Sequence, residues 1–176
     1  MNCNLNAVIT DLIQIRRMGE KKRDENLSFR KYLKSHQWVE RQFRQAAKDV
    51  TDQIDCRACA ECCRVPEVEI TERDIEHLAR FLGIGKGDFL AQYTSTGKDG
   101  ERILKRTSAG CVFLAGNDCT VYEARPANCE RFPHLLKGPG SIPSRMWEFV
   151  DRACYCPIVY NSLEAFKTEM GYRNHA

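Results

Sequence analysis

Residues 56–63 read Cys56-Arg57-Ala58-Cys59-Ala60-Glu61-Cys62-Cys63 and place four thiols within eight positions. Gaps of two residues let thiolates converge on one point inside a tight turn. A small soft cation needs that convergence, because its sulfur ligands must close in at short range. Cys56, Cys59 and Cys62 can point the same way. Cys63 follows Cys62 directly and must point elsewhere, which leaves it for a second centre or a neighbouring position. Three sulfurs from the run with a fourth from a distance is a natural arrangement.

Working outward, Cys111, Cys119, Cys129 and either Cys154 or Cys156 supply further sulfurs, and Cys3 lies alone near the N-terminus as a bystander. Eight thiolates suffice for two tetrahedral sites or one multi-iron cluster. Inert buried thiols, disulfides of an exported protein and a thioredoxin-like pair at Cys56/Cys59 or Cys59/Cys62 compete with this reading. The overlapping repeats favour a chelate, and no export signal is visible. A reducing cytoplasmic location is therefore expected, where clustered cysteines lean toward metal or redox chemistry. His134 is the histidine nearest the cysteines, five residues after Cys129, and is expected to be a surface or supporting group.

The remaining sequence sets bounds. The chain has 176 residues, 43% hydrophobic and 29% charged, with a formal net charge of +3. Residues 1–55 hold 11 basic and 8 acidic side chains, and residues 56–176 hold 16 of each. An excess of three is too small to argue for nucleic acid. No stretch is apolar and long enough for a membrane span. There is no serine–histidine–acid spacing, no phosphate-cradling glycine loop and no persuasive carboxylate pair.

Hydrophobic periodicity predicts a helix over 5–18 ended by Gly19, a charged connector over 20–25 and a second helix over 28–52. Residues 65–70 alternate as a short strand. Thr71 to Asp74 reads as a capping box opening a helix that Gly83 stops, and a shorter helix follows at 88–93. Residues 101–106 and 110–114 read as extended. Ala115-Gly116-Asn117-Asp118 is turn chemistry, so a hairpin brings Cys111 near Cys119. Arg125-Pro126 opens a turn or short helix carrying Cys129. Gly138-Pro139-Gly140 and Ile142-Pro143 mark a loop, 147–150 reads as a strand and 162–170 as a final helix. Trp38 and Trp147 read as packing residues. The fold class is α+β, a small metal-stabilised cysteine-rich domain with short strands and a hairpin, plus an N-terminal helical extension. The expected ranges are 1–54 for the extension, 55–158 for the cysteine domain and 159–176 for the last helix.

The pattern Cys56-x-x-Cys59-x-x-Cys62-Cys63 resembles the signature of the CxxCxxCC, or YkgJ-like, cysteine-cluster proteins. Cys111-Val112-Phe113-Leu114 is similar to that family's second element. The block from Cys119 to Cys129, followed by Arg131-Phe132-Pro133, is similar to its most distinctive one, and Cys156-Pro157 suits the closing cysteine. The likeness covers about residues 54–158. It departs where glycine is frequent after the second cysteine (Ala60 here), where proline follows the fifth (Val112) and where a basic residue is common (Glu130). The resemblance implies zinc or iron bound at Cys56, Cys59, Cys62, Cys63, Cys111, Cys119, Cys129 and Cys156, the iron as ions or as an iron–sulfur cluster. A similar domain occurs in flagellin lysine methylases, so two readings follow. One is a metal-binding module for structure, storage or delivery. The other is an iron–sulfur enzyme or enzyme component of redox or protein-methylation type, working with a protein partner. Arg125 would offset thiolate charge at such a centre, or else pair with Glu123 or Glu130.

Overall fold

The computed structural model describes residues 8–136 and 141–173. In chain order the helices are α1 Leu12–Lys21, α2 Arg23–Ser35, α3 Glu40–Thr51, α4 Cys56–Cys59, α5 Glu61–Arg64, α6 Glu72–Leu82, α7 Lys86–Tyr93, α8 Ala127–Arg131, α9 Ile142–Arg152 and α10 Pro157–Glu169. Between α7 and α8 lie six short strands: β1 Thr94–Thr96, β2 Arg102–Leu104, β3 Arg106–Thr107, β4 Gly110–Cys111, β5 Leu114–Ala115 and β6 Asp118–Cys119. The strands pair as three antiparallel two-stranded ribbons, so the architecture is α+β with helix predominant. No helix among the described residues is long and apolar enough to cross a membrane. The chain forms two compact units, Met1–Asp55 with Pro133–Ala176, and Cys56–Phe132.

The first unit is helical. Its core is aromatic: Phe43 on α3 stacks on Phe149 of α9 with centroids 6.0 Å apart and meets Phe166 of α10 edge-on at 5.2 Å. The predicted long helix over 28–52 is two helices instead. The break at 36–39 is held by Trp38, whose indole N–H reaches back to the Leu33 carbonyl, while Val39 turns extended and donates its N–H to Gln42 Oε1. The predicted connector over 20–25 is mostly helix, with α1 running through Gly19 to Lys21. Gly19 marks a close approach rather than a stop: a Cβ there would meet the Ala153 carbonyl oxygen at 2.5 Å. The start of the first predicted helix, residues 5–7, lies outside the described residues.

The strand predicted over 147–150 is also corrected. Those residues lie inside α9, which Ser141 caps by accepting from the Ser144 N–H and which Pro143 opens in its first turn. Ile142, Met146, Phe149 and Val150 are buried at helical spacing, while Trp147 points outward, 54% exposed, under the Arg30 guanidinium. Ile142-Pro143 is therefore a helix start; the Gly138-Pro139-Gly140 loop lies outside the described residues. The last helix begins at Pro157, earlier than predicted. Lys167, 4% exposed, is held between Glu25 and Glu164.

The second unit carries seven cysteines. Thr71 accepts from the Asp74 N–H while Asp74 returns to the Thr71 N–H at 2.9 Å, closing the predicted capping box. Gly83 ends α6 in the left-handed region at φ 68°, as its position predicts. Ile75, Leu78, Phe89, Leu104, Phe113, Val121 and Ala124 form the core. The strand expected at 65–70 makes one bridge, Glu69 to Ile103, flanked by hydrogen bonds from Ile70 N to Arg102 O and from Leu104 N to Val68 O.

Candidate metal centre

Two single helical turns carry the cysteine run. After α4 the backbone reverses at Ala60, with φ 51° and ψ 12°, and α5 follows. That left-handed conformation costs an L-residue roughly 1–2 kcal/mol and would suit glycine better than Ala60. The run is then riveted to the hairpins. Arg64 donates to the Cys59 carbonyl at 2.8 Å and to the Gly116 carbonyl at 3.0 Å, and also reaches Asn117 Oδ1. Asn117 returns a bond from its amide to the Ala58 carbonyl at 2.9 Å. Arg106 on β3 donates to the Pro66 and Arg64 carbonyls. Gly110, at φ 130°, lies so close to the run that a Cβ would meet the Cys63 carbonyl oxygen at 2.5 Å.

The downstream cysteines lie on the hairpins so held and on α8. Cys111 ends β4 and Cys119 ends β6, where it pairs with Leu114. α8 carries Cys129 and is fixed by two bonds: Asp74 Oδ1 accepts from Ala127 N at 3.0 Å, and Asn128 donates its amide to the Glu69 carbonyl at 2.9 Å.

Charge on Cys63 reaches Cys111, Cys119 and Cys129. Burial pushes Cys129 up to about 12, and charge on Cys111, Cys63 and Cys119 adds to it. Burial likewise raises Cys111, with Cys63 and Cys119 contributing, and raises Cys119, with Cys63 contributing. Cys63 goes the other way, to about 7, because the Cys62 thiol hydrogen-bonds to it; burial opposes this while Arg64 and Arg125 assist. Cys59 is raised, first by burial, and it too feels Cys63. Cys56 is exposed. All nine described cysteines carry free thiols. Among the described residues no three His, Cys, Asp or Glu side chains already stand in an arrangement that could hold an ion. Arg125 stacks on Tyr122 at 3.6 Å, donates Nε to the Tyr122 carbonyl at 2.9 Å and lowers the cost of charge on Cys63, Cys119 and Cys129.

Cys154 and Cys156 belong to the first unit, and both are buried. Cys154 bonds the Val150 carbonyl at 3.5 Å and has Arg23, Glu20 and Asp151 for charged neighbours. Cys156 precedes α10 as its N-cap.

Compared with known proteins, residues 55–157 match the CxxCxxCC family model, described as "Putative zinc- or iron-chelating domain". The match spans more than half of the chain. The chain belongs to the CxxCxxCC family. No curated protein and no solved structure matches it. CxxCxxCC membership sets zinc or iron chelation as the coarse function. The residue types are compatible with it, since partly buried cysteines with the Arg64 and Arg125 guanidiniums close by are donors that a thiophilic cation takes as thiolates.

Sequence reasoning did not find Arg64, Asn117, Asp74 or Gly110 as supports of the centre. Arg64 and Asn117 had weak signals, one following Cys63 directly and the other sitting in a recognised turn. Asp74 was read only as a cap, and its second bond to Ala127 spans 53 residues.

Proposed function

We propose that the chain holds zinc or iron through the thiolates of Cys56, Cys59, Cys62, Cys63, Cys111, Cys119, Cys129 and Cys156, as a metal-binding module for structure, storage or delivery. The observation that carries this reading is that charge on Cys63 reaches Cys111, Cys119 and Cys129, so that four residues from four different elements lie within electrostatic range. These four form one donor set. Cys56, Cys59 and Cys62 form a second, more exposed set, and Cys156 enters on the extent of the family match alone.

Binding would require the thiols to deprotonate and to close to about 2.3 Å of a zinc ion, an arrangement that no three His, Cys, Asp or Glu side chains among the described residues already adopt. Metal uptake therefore releases protons and adds to folding stability. Arg64 and Arg125 offset the negative charge that such a set retains. Zinc would supply a redox-silent staple; iron, alone or with sulfide, would supply electron transfer.

The test is anaerobic purification followed by metal and acid-labile sulfide analysis of the wild type, Cys59→Ser and Cys129→Ser. The reading expects bound zinc or iron that falls in both variants, together with thermal stability. Sulfide in proportion to iron would identify a cluster. Wild-type metal content and melting in Cys59→Ser and Cys129→Ser would remove both residues from the ligand set.

A further inference from the structure

A cleft of about 850 Å³ opens in the second unit, lined on one side by α6 and on the other by residues 122–130. That is the volume of a small-molecule site. Arg73, His77 and Arg80 recur at i, i+4 and i+7, so they form one stripe along α6, and all three are exposed. Arg125 lines the other wall, its guanidinium fixed on the Tyr122 ring.

The charges in the cleft are not equally available. Asp74 is consumed by the scaffold, accepting from Thr71 N and Oγ1 with one oxygen and from Ala127 N with the other. Glu76 leans toward Lys86, 3.8 Å away. Glu123 and Glu130 also line the cleft and are exposed, as Arg73 and Arg80 are, so a bound anion must meet the guanidiniums away from these two carboxylates. Among the described residues no carboxylate lies within 4.0 Å of the Arg73, Arg80 or Arg125 guanidinium. Three guanidiniums without a carboxylate partner, Arg125 keeping its terminal nitrogens beyond the Nε bond to Tyr122, form a fork-bearing surface suited to carboxylate or phosphate oxygens.

We propose that this cleft binds a small polyanion carrying two or more carboxylate or phosphate groups, with Arg73, Arg80 and Arg125 as its direct contacts. The site goes beyond metal binding and does not depend on it. Arg125 gives it a position beside the thiols, since the same guanidinium stabilises charge on Cys63, Cys119 and Cys129.

The experiment is calorimetric titration of the full chain, as purified, with tricarballylate and separately with pyrophosphate, on the wild type and on an Arg73→Gln/Arg80→Gln double variant. Both substitutions fall on exposed positions of α6, and circular dichroism checks that the helix persists. The expected result is saturable one-to-one binding of at least one probe, weakened tenfold or more in the double variant. Binding by tricarballylate alone assigns a carboxylate ligand and binding by pyrophosphate alone a phosphate one. No saturable binding of either probe to the wild type, or equal affinity in the double variant, overturns the proposal. Metal content measured on the same samples keeps the two ideas apart: a metal-free chain that still binds the anion refutes chelation and leaves the cleft standing.

Discussion

Gly110→Ala is the perturbation that tests most sharply how the hairpins hold the cysteine run. Gly110 sits at φ 130°, a region open to glycine and strained for any L-residue. That strain alone costs on the order of 1–3 kcal/mol. The added Cβ would also stand 2.5 Å from the Cys63 carbonyl oxygen and 3.0 Å from the Arg64 Cα. Both are backbone atoms of a segment fixed by Arg64 and Arg106, so neither yields as a side-chain tip would. Overpacking of this kind adds roughly 1–3 kcal/mol. The expected loss is therefore about 2–6 kcal/mol, a large share of a small domain's stability. Gly83→Ala is the control, because Gly83 has φ 68° and nothing within 4 Å of a Cβ; it should lose only about 1 kcal/mol. Urea unfolding of both variants measures the difference. A loss below 1 kcal/mol in Gly110→Ala, or equal losses in the two, would refute the close approach of β4 to Cys63.

Two further outcomes follow from the same geometry. Ala60→Gly should stabilise the protein by roughly 0.5–1 kcal/mol, since relief of the left-handed strain outweighs one lost methyl group; a lower denaturation midpoint in urea would contradict the φ of 51° at Ala60. Asp74 is held below the ordinary carboxyl value: burial opposes this, but the hydrogen bonds from Thr71 and Ala127 N–H prevail. A depressed folded-state value means stability that is full above the unfolded carboxyl range and lost as pH falls through the folded one. Asp74→Asn should therefore cost about 1 kcal/mol at neutral pH and flatten the acid limb of a stability–pH curve below about pH 5; parallel curves would show that Asp74 does not join α6 to α8.

Much of the second unit was legible in the sequence because its signals are local. Thr71 and Asp74 spell a capping box, Gly83 supplies the left-handed stop and residues 115–118 spell a turn, and each does in the structure what its chemistry dictates. The helical unit was harder to read. The apolar stretch at 147–150 is too short to separate period two from period 3.6, and only its packing with Ile142 and Met146 shows the helix. The break between α2 and α3 depends on a Trp38 hydrogen bond that no periodicity encodes. Gly19 looked like a stop because glycine commonly is one, whereas its reason is the backbone of Ala153, over 130 positions away. The cysteines themselves were plain in the sequence. Which of them lie within electrostatic range was not, since charge on Cys63 reaches Cys111, Cys119 and Cys129 only because the hairpins and α8 fold back on the run.

The central claim is that thiols remote in sequence share an inorganic ion, and elemental analysis tests it most directly. Protein purified without air or chelator should carry zinc or iron in a fixed ratio to the chain, with Cys63, Cys111, Cys119 and Cys129 shielded from a thiol reagent until the metal is removed. A metal-free chain whose described cysteines all react freely with that reagent while the protein stays folded would contradict it.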